Sequence, residues 1–428
     1  MTSLSELQAL ESDAPVRRER SHWPSILTLG CVLPGAGLFL IGALVLGVMS
    51  LASAVTDVLP PTETLIGAGA AGFEGLLLLW LAWLLFQRAR GALSAPEREL
   101  IAGIPRGAGA GLGALAIAAG ALITVAASPW ISALLLPLLT VVAVAAPLVE
   151  LCAVGVRSIP LGPRWRAAAM LGLGMTLVPL VIIVAEAIIL AVFVVAAAVW
   201  LSTQPAAVRT LFELQSALER ESDLSVIAEL VTPLVFRPAV LASILAYVAV
   251  FVPPIEELLK PLGVWIFARS IQSPRQGFAM GAICGAAYAL VESLGVGARG
   301  GVEWALAVGV RVPTGLLHVT NSALMGWAIV SAIQDRKLAR LAATFALVAL
   351  IHGIWNASAV GVAVSMLGGA VAQPAWLPNL AAAGSAALII LLAGMFMLLR
   401  ASNSRLLRPA MGTSVSLADA AARPPDRT

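Results

Sequence analysis

Charge is scarce in this chain. Aspartate, glutamate, lysine and arginine make up only 11% of its 428 residues, against roughly 25% in a soluble domain. With 60% hydrophobic residues and a mean hydropathy of +0.97, no polar stretch is long enough to fold by itself in water. That excludes a string of soluble domains and leaves a single membrane domain. Cysteine is also rare. Cys31, Cys152 and Cys284 all lie in apolar segments, which excludes a disulfide framework and a CxxC metal site. No basic patch carries interleaved aromatics, so a nucleic-acid partner is not expected. The formal net charge of +3 says little about partners, because the basic residues follow topology.

About 20 apolar residues cross a bilayer as a helix. On that ruler, spans are expected near 26–51, 66–86, 107–127, 131–156, 167–201, 234–268, 277–297, 303–333, 341–366 and 379–399. The fold class is therefore an all-α polytopic transmembrane bundle of about ten spans. Eleven arise if 234–268, broken by Pro253-Pro254, divides in two. The first run follows Arg17-Arg18-Glu19-Arg20 and is about twenty-five residues long, longer than a signal-peptide core, so it reads as an uncleaved span. With ten spans and a cytoplasmic N-terminus, inner segments hold twenty basic residues and outer segments only Arg209, Arg220 and Arg299. That asymmetry follows the positive-inside rule, favours ten spans and puts both termini in the cytoplasm at the cell membrane.

The expected organisation is a disordered tail at 1–24, an accessory bundle of five spans at 25–232, a second bundle at 233–400 and a disordered tail at 401–428. Within the accessory half, the outer loop 202–232 carries Glu213, Glu219, Glu221, Asp223 and Glu229, expected as a solvated face. No internal repeat is evident.

Histidine is as rare as cysteine, with three residues. His22 sits in the N-terminal tail beside Trp23-Pro24 and reads as interfacial. His318 and His352 lie in apolar segments, among a set of ionisable and amide groups confined to the second half: Glu256-Glu257-Leu-Leu-Lys260, Glu292, Arg311 and Asn356. Ionisable groups inside hydrocarbon are costly and face a cavity or a partner, so such a set marks a functional site. Glu256 and Glu257 follow two prolines and are expected to open a helix running through Trp265. Lys260 is four residues on and faces Glu256. Adjacent carboxylates project about 100° apart, so one is expected in a cavity and the other braced against Lys260 or a neighbouring helix. Arg311 and His318 share a helix face, and the arginine needs a carboxylate, Glu292 or one of the Glu256/Glu257 pair. His352 and Asn356 are one turn apart, able to converge on a metal, a water or an oxyanion. The lone acids Glu74, Glu150 and Glu186 stand in segments without histidine and read as packing or structural groups.

Several chemistries are excluded. There is no HExxH, no paired aspartates in the spans, no GxSxG and no serine with a rhomboid-type setting. What remains suits water activation. Glutamate takes a proton from water, or a metal held by His and Glu acidifies it, while His and Asn stabilise the oxyanion. A proton-coupled transporter is the rival reading, but it calls for broken helices in two related halves, whereas this set sits in one. A non-catalytic membrane-binding relative is the third.

In this order on successive helices, EExxK, G-x-x-Y-A-x-x-E, R-x6-H and HxxxN resemble the PrsW-type glutamic or metallo intramembrane proteases, of the wider superfamily of CAAX prenyl endopeptidases and bacteriocin-processing enzymes. The resemblance covers about residues 250–360. It implies hydrolysis of a peptide bond in a membrane-embedded or membrane-proximal protein, and substrates in the family include single-span anti-sigma factors. By position it makes Glu256, Glu257, His318, His352 and Asn356 the catalytic set, supported by Lys260, Glu292 and Arg311. Ser293 stands where the family commonly has Asn. Zinc on Glu256, His318 and His352 would make a His₂Glu set with an open water position. The same residues also suit a metal-free glutamate mechanism.

Overall fold

The computed structural model describes residues 22–56, 61–91, 105–220, 230, 232, 235–297, 303–367 and 377–407. The described residues are helical, with no strand among them. Ten helical segments among them are long and apolar enough to cross a membrane. The helices of the first half are α1 (Trp23–Thr56), α2 (Pro61–Ala89), α3 (Ala108–Ala126), α4 (Pro129–Val156), α5 (Arg164–Met175) and α6 (Leu177–Ser202), followed by the short α7 (Pro205–Glu219). In the second half come α8 (Pro238–Leu245), α9 (Val252–Leu259), α10 (Leu262–Phe267), α11 (Pro274–Val296), α12 (Trp304–Gly309), α13 (Arg311–Asp335), α14 (Leu338–Leu367) and α15 (Leu377–Leu407).

The segment expected to be broken at Pro253-Pro254 is one span, Pro238–Ser270. A π-helical turn, Ala246–Phe251, joins α8 to α9 without a gap. The acids therefore do not sit at a free helix N-terminus, as the prolines suggest, because backbone helix precedes them. The helix also stops short of Trp265. Pro261 cannot donate to the Glu257 carbonyl, so the chain restarts at Leu262, and Trp265 Nε1 donates to the Leu258 carbonyl across the break at 3.1 Å.

Two spans form the interior. The most apolar window is 78% buried in Pro274–Val296 and 89% in Trp304–Asp335, but only 6% in Arg164–Ser202. Lipid solvates apolar side chains as well as protein does, so close backbone packing must supply much of the contact energy between helices. Gly277, Gly281 and Gly285 supply it on α11. A Cβ at Gly281 would strike the Ser322 carbonyl, and one at Gly285 the His318 carbonyl, both on α13. This approach sets the register that carries Glu292 to His318. One apolar core runs through both halves, and Trp304 Nε1 ties α12 to Thr140 Oγ1 on α4 at 2.8 Å.

The segment 202–232 holds α7, on which Gln215 Nε2 donates to Glu219 at 2.8 Å. Glu221, Asp223 and Glu229 lie outside the described residues, as do residues 1–21 and 408–428 of the two tails. At the other end α15 continues to Leu407, past the expected tail boundary. The cause is Asn403, whose Nδ2 donates to the Gly155 and Arg157 carbonyls at 2.8 and 3.0 Å and so anchors the extra turns. His22 packs edge-on against Trp165, ring centroids 4.4 Å apart.

Candidate active site

Lys260 is the hub. Its side chain is fully buried, and a buried ammonium persists only where its three protons find acceptors. Nζ lies 2.9 Å from Glu256 Oε2, 2.8 Å from Glu257 Oε1 and 2.7 Å from His318 Nδ1. The i+4 spacing thus delivers the expected Glu256 pair, and the lysine also takes Glu257.

Two imidazoles flank this hub, with ring centroids 5.8 Å apart. His352 Nδ1 lies 2.7 Å from Glu257 Oε1, and its Nε2 lies 4.0 Å from Glu256 Oε2. His318 Nε2 meets Glu292 Oε2 at 2.7 Å. Arg311 completes that side, with Nη2 2.9 Å from Glu292 Oε2 and Nε donating to Ser293 Oγ at 3.2 Å. Of the carboxylates open to Arg311 in the sequence, Glu292 is the one it meets. Ser293, the departure from the family pattern, accepts its hydrogen bond. Tyr288 packs edge-on against His318 at 5.2 Å, its face 5.3 Å from Lys260 Nζ.

The two adjacent glutamates differ. The Glu257 side chain is fully buried, whereas that of Glu256 is 11% exposed. Asn356 is one turn beyond His352 but turns elsewhere. Its Nδ2 donates to the Val248 carbonyl, inside the π turn, at 2.9 Å. Gly353 lets α14 come this close, since a Cβ there would lie 2.5 Å from the Ala249 carbonyl. The structure thus gathers Glu256, Glu257, Lys260, Glu292, Arg311, His318 and His352 into one network and sets Asn356 beside it.

The lone acids differ from one another as well. Glu150 accepts from the backbone N–H groups of Gly107 and Ala110 at 2.5 and 2.6 Å, capping the start of α3. Glu74 is buried, and its Oε1 has no hydrogen-bond partner. Glu186, which reads as a packing group in the sequence, lies on α6 beside the π turn: Tyr247 Oη donates to its backbone carbonyl at 3.3 Å, and its Oε1 is buried without a hydrogen-bond partner.

The fold and the site define a class: an all-helical, polytopic membrane protein with a carboxylate–imidazole–ammonium network inside the bundle. Residues 222–395 match the model of the PrsW family of intramembrane metalloproteases, a match that supports a PrsW-type protease. No curated protein and no solved structure matches the chain. An intramembrane protease acts on a membrane-protein substrate in the lipid bilayer.

The family's description as metalloproteases raises the question of a metal. Glu256 Oε2 and His352 Nε2 converge at 4.0 Å, and Glu257 Oε2 is buried without a hydrogen-bond partner. His318 does not join them, because Lys260 and Glu292 engage both its nitrogens. Among the described residues no three His, Cys, Asp or Glu side chains are grouped to hold a metal. The trio Glu256, His318 and His352 therefore does not fit a zinc ion as arranged.

Proposed function

We propose that this protein hydrolyses a peptide bond of a membrane-embedded or membrane-proximal protein by water activated between Glu256 and His352. The observation that carries this reading is the 4.0 Å gap between Glu256 Oε2 and His352 Nε2. It is too long for a direct hydrogen bond and suited to one bridging water. Nδ1 of His352 donates to Glu257, which leaves Nε2 as an acceptor. A water in the gap gives one hydrogen bond to each acceptor, and its lone pair then points away toward a substrate carbonyl. Glu256 takes the water proton as oxygen attacks carbon, and returns it to the amide nitrogen as the C–N bond breaks.

The other residues act through this pair. Glu257 orients His352, and Lys260 fixes both glutamates by charge. Glu292 and Arg311 hold His318, which takes the third contact of Lys260. Asn356 braces the π turn that leads into α9, an orienting role. Metal analysis of purified protein, wild type against His318→Ala and His352→Ala, tests a metal directly. Bound zinc lost from both variants would replace this scheme with a rearranged His₂Glu site.

We place the protein in the cell membrane with both termini cytoplasmic, on the distribution of basic residues, and take its substrate to be a single-span protein of the anti-sigma-factor kind. The decisive test co-expresses single-span reporters with wild type and with Glu256→Ala, Glu257→Ala, His318→Ala and His352→Ala. Cleavage by wild type alone is expected. Equal processing by four folded variants would sink the assignment.

A further inference from the structure

Just past His318, α13 carries three polar side chains in a row, Thr320, Asn321 and Ser322, all buried. Each has an atom with no hydrogen-bond partner among the described residues: Thr320 Oγ1, Asn321 Oδ1 and Ser322 Oγ. Apolar side chains would fill these places without that cost, since an unmet buried polar group destabilises. For Asn321 a second contact points to a use. Its Nδ2 donates to the Val348 carbonyl on α14 at 3.2 Å.

Where that bond falls gives it meaning. Val348 is four residues before His352, so within α14 its carbonyl is also the helical acceptor of the His352 N–H. Asn321 is three residues after His318, on the same side of α13. The amide thus joins the turn that carries one histidine to the turn that carries the other. Four residues beyond His352, Asn356 makes the matching bond outward, from α14 to the Val248 carbonyl of the π turn that leads to Glu256. Val348, His352 and Asn356 recur at intervals of four and share a helix face. His352 is therefore bracketed, one turn before and one turn after, by a side-chain amide on a backbone carbonyl. Apolar contact alone lets helices slide or turn at little cost, whereas an amide aimed at one carbonyl fits one depth and one rotation. A buried amide can fix register between helices in this way, at a cost in stability.

We propose that Asn321 is a positioning residue of the active site: its amide, donated to the Val348 carbonyl, sets the depth and rotation of α14 and so holds His352 Nε2 at its 4.0 Å distance from Glu256 Oε2. Its place in the reaction rests on the reading of Glu256 and His352 as the water-activating pair.

The test compares Asn321→Leu and Asn321→Gln with wild type in the full-length protein, by reporter cleavage per folded molecule and by thermal unfolding in micelles. A misplacement of about 1 Å can cost about 10²-fold in rate. Leu, close to Asn in size but without a donor, should lower kcat by about tenfold or more with KM unchanged. Its unfolding temperature should stay level, because the unmet Oδ1 leaves with the amide. Gln keeps the donor on a longer stem and should cleave faster than Leu. Wild-type kcat in folded Asn321→Leu, or a Gln variant no faster than Leu, overturns the proposal. A second measurement needs no proteolysis. The chain has only three histidines, so the imidazole nitrogen NMR signals of histidine-labelled protein are assignable with single His→Ala variants. In Asn321→Leu the His352 signal should move while that of His22 stays, and an unmoved His352 signal overturns the proposal. A moved signal in a protein that cleaves no reporter would end the hydrolysis reading while leaving the positioning of His352 established.

Discussion

Glu74 and Glu257 are both buried glutamates on apolar helices, yet they lead different lives. Glu257 on α9 meets an ammonium at 2.8 Å and an imidazole at 2.7 Å. Glu74 on α2 has an oxygen with no hydrogen-bond partner among the described residues. Glu150 stands between them, satisfied by two backbone N–H groups at a helix start. The residue type is the same in all three cases. What separates the networked carboxyl from the isolated one is that Lys260 of its own segment and His352 of a second helix both meet it.

Four substitutions sharpen or break that contrast. The largest effect is expected from Glu256→Gln, which removes the base while keeping size. Reporter cleavage should fall by about 10²- to 10⁴-fold, with the unfolding temperature close to wild type. A variant within a few-fold of wild type would take the base away from Glu256. Next comes Glu257→Gln, which leaves Lys260 and His352 without their shared anion. Breaking one partner of a buried ion pair costs about 3–5 kcal/mol, so unfolding in micelles should shift well below wild type. Stability equal to wild type would mean that Lys260 is satisfied by Glu256 and His318 alone.

Smaller changes belong to the first half of the chain. Glu150→Gln keeps one acceptor for the start of α3 and loses the charge favoured at a helix N-terminus. A loss of about 1 kcal/mol is expected, with cleavage per folded molecule unchanged. Glu74→Leu removes a buried polar group with an unmet oxygen, so stability should stay level or rise. A marked loss of stability in that variant would reveal a partner for Glu74 and erase the contrast with Glu257.

Much of this was legible in the sequence. The ten spans follow from hydropathy, and the structure has candidate spans at each expected place. Spacing along one helix was equally readable: Glu256 and Lys260 at i+4 do meet. Prolines misled in one place, because the π turn before Pro253 removes the free helix end that would have favoured the acids. HxxxN misled in another, since one shared face still allows two neighbours. His352 turns to Glu257, while Asn356 turns to a backbone carbonyl. Glu150 was visible only as one of the lone acids, with nothing in its own segment to show that it caps the start of α3.

Sequence alone, then, determined the membrane class, the span positions and the inventory of reactive groups. Those depend on local properties: the cost of charge in hydrocarbon and the repeat of a helix. Tertiary structure decided the partners, namely that Arg311 and His318 share Glu292 and that Lys260 bridges two glutamates and a histidine. The reason is physical. Helices in lipid meet where small residues let their backbones approach, and the depth and rotation of each rigid helix then place every side chain on it at once.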